Sequence, residues 1–251
     1  MDHVPGKKAD LHIHTCLSPC GDWGMTPVKI IKAAESENLN IIAVCDHNSA
    51  KNAGAVAKAA RQSGITVIAG MEICTREEVH LVALFKCLCD ALEMGDIIQR
   101  GLSEKNHPDI FGYQVISDEN DMVTGQEDRL LISASLLSLE QAVQKIHSLG
   151  GIAVAAHVDR PVFSIVSQLG FIPDHIGLDG IEMSRHAFGT TGVHNLLDNT
   201  DPPCILSSDA HFSRDIAAGY TVFDMRDTSF ESMRNALSER KFRCFVKRPG
   251  Y

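Results

Sequence analysis

The sequence predicts an α/β fold: a closed or nearly closed barrel built from alternating strands and helices. Six apolar runs of strand length recur along the chain: "LNIIAVCDH" (39–47), "GITVIAGME" (64–72), "HLVALF" (80–85), "GGIAVAAH" (150–157), "LDGIEMS" (178–184) and "PCILSSDAH" (203–211). They are continuous rather than alternating, which suits strands buried on both faces of a parallel sheet. Helix-like segments lie between them, and roughly seven strand–helix units fit a chain of 251 residues as one large domain. A doubly wound open sheet is the runner-up, but no Gly-rich dinucleotide fingerprint supports it.

The first strand carries "ADLHIH", and His12 and His14, two apart, point to one side of the sheet. Thr26-Pro27 then reads as an N-cap followed by Pro at the first helical position, with Val28, Ile30, Ile31 and Ala34 as the apolar stripe. "NAGAVAKAARQSG" (52–64) is an Ala-rich helix ended by Gly64. Residues 101–137 are a polar excursion, too long for an ordinary connection, with a hairpin expected around "SDEND". Both a lid and a solvated insertion fit its composition. Ser138 with Gln141 forms a capping box ahead of Leu139, Ala142, Val143, Ile146 and Leu149, and Gly150-Gly151 stops that helix. Thr228 with Glu231 predicts a second box, ahead of Phe230, Met233 and Leu237.

Composition narrows the function classes. No run of eighteen apolar residues is present, so no membrane span is expected, and "MDHVPGKK" has no apolar signal region. The expected location is the cytoplasm, where the eight Cys are thiols rather than disulfides. Cys45, Cys74 and Cys204 read as small buried hydrophobes. A net charge of −9 argues against long nucleic acid bound through a broad basic face. It leaves room for a small anionic substrate, because divalent cations would reverse the local potential.

Polar residues gather where the strands end. His12 and His14 lie on the first strand, and Asp46-His47 and Glu72 end the next two. His80 opens "HLVALF", His157 ends "GGIAVAAH", and Asp209 and His211 end "CILSSDAH". Active sites of such barrels are built at the C-terminal ends of the strands. A lone His there reads as a satisfied core residue. Seven or eight ligand types on one face read as a multinuclear metal site in which a carboxylate bridges two ions.

The ordered set "DLHIHT", "DHN", "GME", "HLVALF", "AAHVDRP" and "SSDAH" resembles the PHP family, named for the polymerase and histidinol phosphatase proteins that carry the domain. The resemblance covers most of the chain as one domain and is greatest to stand-alone bacterial members, some of which act on nucleotides or other small phosphoesters. It implies a distorted (β/α)7 barrel, two or three divalent ions (Zn, Mn or Fe) and phosphoester hydrolysis. By motif, it implies that His12, His14, Glu72 and Asp209 hold one ion. Glu72 then bridges to a second ion on His80 and His157, and a third uses His47, His211 and Asp22. Asp22 is a departure, because many members have His there, and a carboxylate favours a harder metal. His80 is placed by strand logic rather than by motif spacing.

The implied nucleophile is a hydroxide bridging the first two ions. Asp209 is expected to orient or deprotonate it. Arg160, Arg185 and His186 are expected to contact phosphate or to protonate the leaving oxygen, the alternative for each Arg being a surface side chain. Cys16 and Cys20 flank the same first loop, and both a redox or extra metal role and simple packing stay open for them. Other readings are a non-catalytic metal-binding module, hydrolysis of a C–N bond, and a short-oligonucleotide exonuclease. Lys7, Lys8 and Lys86 do not stand at strand ends facing the cluster, where a carbamate could bridge ions, which weighs against the C–N reading.

Overall fold

The computed structural model describes residues 6–186 and 201–247. Eleven strands are described: β1 (Gly6–Ile13), β2 (Ile41–Val44), β3 (Thr66–Cys74), β4 (His80–Phe85), β5 (Val115–Ser117), β6 (Val123–Gln126), β7 (Ile152–Ala155), β8 (Gly180–Met183), β9 (Cys204–Leu206), β10 (Gly219–Asp224) and β11 (Phe242–Val246). Nine form one sheet in the order β11-β10-β1-β2-β3-β4-β7-β8-β9, and β5 and β6 pair separately.

The large sheet is a nearly closed barrel of seven strands. Beyond β9, the Ala210 N–H donates to the His12 carbonyl (3.3 Å) and the His14 N–H donates to Ala210 (3.0 Å), which returns the chain to β1. The seam is completed by β10, which runs antiparallel to the first half of β1. There the Thr221 hydroxyl stands in for a ladder, accepting from the Leu206 N–H and donating to its carbonyl.

One connection departs from the strand–helix pattern. β3 and β4 form a hairpin, with Cys74 opposite His80, and β4 is antiparallel to β7 as well. Residues 75–79 are too few for a crossover, which takes about a dozen or more. The start of β4 therefore lies beside the end of β3. β10 and β11 were not legible as buried runs because their residues alternate between more and less buried.

Seven helices are described: α1 (Pro27–Ser36), α2 (Ala53–Ala59), α3 (Leu88–Gly101), α4 (Pro108–Phe111), α5 (Leu139–Ser148), α6 (Ile165–Leu169) and α7 (Phe230–Ser238). None is long and apolar enough to cross a membrane. The capping box of α5 forms as expected. α1 starts at Pro27, but the Thr26 hydroxyl makes no cap bond and is buried without a partner. Asp121 of the excursion takes over, accepting from the Val28 N–H at 2.8 Å. The N-cap of α7 is Ser229, one residue later than expected, and the Thr228 hydroxyl bonds Thr66 instead.

Strand parity sorts the core into two. Ile41, Ala43, Cys45, Ile68, Val82, Leu84, Ile152, Val154 and Ile205 form one cluster that fills the barrel, closed below by Phe230 and Met233 of α7. The opposite parity packs beneath α1, α2, α3 and α5. A bulge in β1 between Asp10 and Ile13 shifts the register, so Leu11 and then His12 and His14 both serve the inner side. Continuing the inward parity upward leads to His47, Glu72, His80 and Glu182.

The 101–137 excursion carries α4 and the β5–β6 hairpin around "SDEND". It is pinned across the first loop: the Val115 N–H donates to Cys16, Asn52 bonds Val115 and Ser117, and Asn48 bonds the carbonyls of Leu131 and Ser133. It forms a wall, and one of its residues, Ile132, reaches the central cavity.

Candidate metal centre

Glu72 is the middle of the site. It is 1% exposed, and its two oxygens face different imidazoles. Oε1 lies 2.8 Å from His80 Nδ1 and 3.0 Å from His157 Nε2. Oε2 lies 3.1 Å from His47 Nδ1, 3.4 Å from His14 Nε2 and 3.6 Å from His12 Nε2. Asp209 Oδ1 forms a second centre, 3.1 Å from His14 Nε2 and 3.5 Å from both His12 Nε2 and His211 Nδ1. His157 and Asp209 both have positive φ (30° and 49°), a conformation rare for residues with side chains and frequent at functional sites.

The surrounding residues set which ring nitrogens face inward. Glu182 holds His12 Nδ1 at 3.0 Å, leaving Nε2 toward the carboxylates. Ser18 donates to Asp46 and so accepts from His14 Nδ1 (2.9 Å), which also leaves Nε2 inward. Asp46 is itself fixed by the Thr15 N–H and hydroxyl, both at 2.7 Å. His211 Nδ1 donates to the Asp209 carbonyl at 3.0 Å, again freeing Nε2. Asp10 accepts from the Ser208 and Ala217 N–H groups and so holds the segment carrying Asp209. Burial pushes the Asp10 carboxyl up to about 6 against those bonds.

The electrostatics describe a site short of positive charge. Burial alone would raise Glu72 and Asp209, yet the surrounding imidazoles hold both well below the usual carboxylate range. His14 moves the opposite way: burial pulls it down, and Asp209 and Glu72 outweigh that to lift it to about 9. His47 and His211 stay neutral, because burial and then the neighbouring imidazoles outweigh the carboxylates; His211 falls to about 4. His47 Nδ1, His157 Nδ1 and Asp209 Oδ1 are buried without a hydrogen-bond partner. Buried polar atoms are rarely left so, and divalent cations would satisfy His47 Nδ1 and Asp209 Oδ1, which face the cluster. Within this cluster three ligand groups are compact enough for an ion: His12, His14 and Asp209; His47, Glu72 and His80; and His14, His47 and His211. The residues present fit divalent metals.

Eight of the nine expected ligands therefore meet here, His80 through the hairpin. Asp22 does not. It is exposed, and its carboxylate accepts from the Gly24 N–H at 2.8 Å, closing a turn. Besides Ser18, the side chain of that loop that reaches the cluster is Cys20. Arg160 stands at the mouth, with Nη2 2.6 Å from Asp209 Oδ2. Arg185 turns aside to Asp215 (2.9 Å), which competes for its guanidinium, and His186 is exposed; neither lines the cavity. Glu182 and Ser18 were missed by sequence reasoning. An acid inside the apolar run "GIEMS" was the available signal for Glu182, since a buried carboxylate needs a partner.

The cavity above the cluster measures about 270 Å³, at the small end for ligand pockets, and is lined by the site residues with Cys20, Ile132, Arg160, Val162 and Phe163. Phe163 stacks on His80, centroids 4.8 Å apart.

Comparisons place this geometry among known proteins. A 5'-3' exoribonuclease from Haemophilus influenzae is 27% identical over 191 residues, 60% of this chain and 69% of that one. A lesion-specific endonuclease from Pyrococcus furiosus superposes with a TM-score of 0.71 at 18% identity, over 93% of this chain; the chain spans 56% of that enzyme's length. An Endonuclease Q complex with a 27-mer duplex substrate gives 0.64 at 18% identity, over 93% of this chain and 57% of the other. A two-domain protein from Bacteroides vulgatus, containing a predicted PHP-like metal-dependent phosphoesterase, gives 0.59 at 18% identity, over 98% and 66% of the two chains. The PHP-associated family matches residues 195–242. The PHP domain family matches residues 10–168, well over half of the chain, and the protein belongs to that family of hydrolases, the metal-dependent phosphoesterases and nucleases.

Proposed function

We propose that the protein hydrolyses a phosphoester of a small anionic substrate, a nucleotide or another phosphomonoester. The observation that carries this reading is the divided carboxylate of Glu72, one oxygen toward His80 and His157 and the other toward His12, His14 and His47. Such a carboxylate is placed to bridge two ions. In this reading His12, His14, Glu72 and Asp209 hold the first, and Glu72, His80 and His157 hold the second. His47 and His211 belong to a third. Zinc, manganese and iron all suit the imidazole and carboxylate set. When bound, the cations supply an activated water and neutralise phosphoryl oxygens.

The chain's own residues bind and orient. Among the described residues Arg160 is the one Lys or Arg lining the cavity, and its donors beyond Asp209 are placed to bind a phosphoryl oxygen. Asp209, held far below the usual carboxylate range, is a weak base; it orients by accepting. Phe163 offers a stacking face for a base, which favours a nucleotide among phosphoesters. The small cavity and the net charge of −9 favour a substrate with few phosphates.

A second reading, a nuclease, is favoured by the exoribonuclease and endonuclease likenesses. One experiment separates them. Phosphate or nucleotide release is measured from nucleoside mono- and bisphosphates, histidinol phosphate, and short and long 5′-phosphorylated RNA and DNA. The protein is used chelated and reloaded with manganese or zinc, beside His157→Ala. Metal-dependent release from mononucleotides, lost in the variant, supports the first reading. Release confined to polymers selects the nuclease, and no release from any substrate by loaded protein overturns both.

A further inference from the structure

The first loop places a thiol where the expected carboxylate is missing. Cys20 Sγ lies 3.1 Å from His211 Nε2 and lines the same cavity as His47, Glu72 and Asp209. His211 Nδ1 is committed to the Asp209 carbonyl, so Nε2 carries the lone pair and the thiol donates to it. A proton thus sits between two atoms that are both metal ligands in their deprotonated forms.

Other observations point to an ion there. His14, His47 and His211 present ligand atoms within 4.8 Å of one another. His47 Nδ1, on a side chain 8% exposed, makes no hydrogen bond although Glu72 Oε2 is 3.1 Å away. The loop is also held in place. The Cys16 N–H donates to Met25, Ser18 to Thr15, Gly21 to Ser18, and the Asp22 N–H to the His211 carbonyl at 2.9 Å. A Cβ on Gly21 would stand 2.5 Å from the Thr15 carbonyl, so this tight turn requires glycine. The turn that sends Asp22 outward is the one that sets Cys20 against His211.

We propose that Cys20 is a thiolate ligand of the ion on the His47–His211 side of the cluster, forming with His47 and His211 a mixed nitrogen–sulfur site selective for zinc or ferrous iron over manganese. Ions of this type hold imidazole at about 2.0–2.1 Å and thiolate at about 2.3 Å, which for tetrahedral angles separates N and S by roughly 3.5 Å. The observed contact needs to open by a few tenths of an ångström when the proton leaves. Sulfur as a ligand disfavours the harder manganese. This inference rests on the metal-centre reading above and adds to it the identity of the third site's ligand and metal.

The test uses full-length protein carrying Cys87→Ser and Cys89→Ser, because those exposed thiols form a separate group with Asp90. The protein is chelated, reloaded with cobalt(II), and examined for thiolate-to-cobalt charge-transfer absorption and for cobalt per chain. The expected result is a charge-transfer band that Cys20→Ser abolishes with loss of one equivalent of cobalt. Asp22→Ala should leave the band in place, and Cys20→His should restore the cobalt without the band. No band in the parent, or a band that survives Cys20→Ser, overturns the proposal. Phosphoester hydrolysis is measured on the same samples. Hydrolysis without the band sinks the thiolate ligand and leaves the phosphoesterase standing; the band without hydrolysis does the reverse.

Discussion

Glu182→Gln tests whether the carboxylate behind His12 tunes the metal centre. Glu182 and His12 are fully buried, 3.0 Å apart, and the contact fixes which nitrogen of His12 faces Glu72 and Asp209. A hydrogen bond to a charged group contributes about 1.5–3 kcal/mol and a neutral one about 0.5–1.5, so removing the charge costs about 1–1.5 kcal/mol. At about 1.4 kcal/mol per decade, affinity for the first ion falls roughly tenfold, the lower end of what such supporting residues contribute. Glu182→Ala leaves His12 Nδ1 and the His157 N–H without this acceptor and should approach a hundredfold loss. The assay is competition for zinc against a chelator of known affinity, with circular dichroism to confirm folding. Wild-type affinity in Glu182→Gln, or a milder effect in Glu182→Ala than in Glu182→Gln, would refute the reasoning.

His12→Ala and His157→Ala should each abolish metal-dependent hydrolysis while retaining the far-ultraviolet spectrum; activity in either variant argues against the ligand sets proposed. Arg160→Ala removes the guanidinium proposed to bind phosphate and should lower kcat/KM by about ten- to a hundredfold, with Arg160→Lys intermediate; steady-state kinetics reads this directly. In the metal-free protein His14 is lifted from 6.5 to about 9, so its contribution is complete below pH 6.5 and disappears as pH rises through 9. The unfolding free energy of chelated protein, read by urea titration, should therefore fall over that window, by at most about 3 kcal/mol from this group, and a rise would contradict the assignment. Asp121→Ala should cost about 1 kcal/mol through loss of the α1 cap, read as a lower thermal midpoint.

The sequence by itself determined the barrel strands and most of the candidate metal centre. Ile41–Val44, His80–Phe85 and Ile152–Ala155 read as buried because they are apolar on both faces, and a strand needs no distant information to be so. His12, His14, His47, Glu72, His157, Asp209 and His211 were legible because ligand types at the ends of such strands converge in any barrel. Tertiary structure decided the rest. The short β3–β4 hairpin put the start of a strand at the site and so brought in His80. A tight turn sent Asp22 away from the cluster and set Cys20 Sγ against His211, and Asp215 drew Arg185 aside. Glu182 acquired a purpose when β8 lay across the barrel from β1. Strand identity follows from local hydrophobic pattern, whereas side-chain partnership depends on which distant segments meet, and pattern does not encode that.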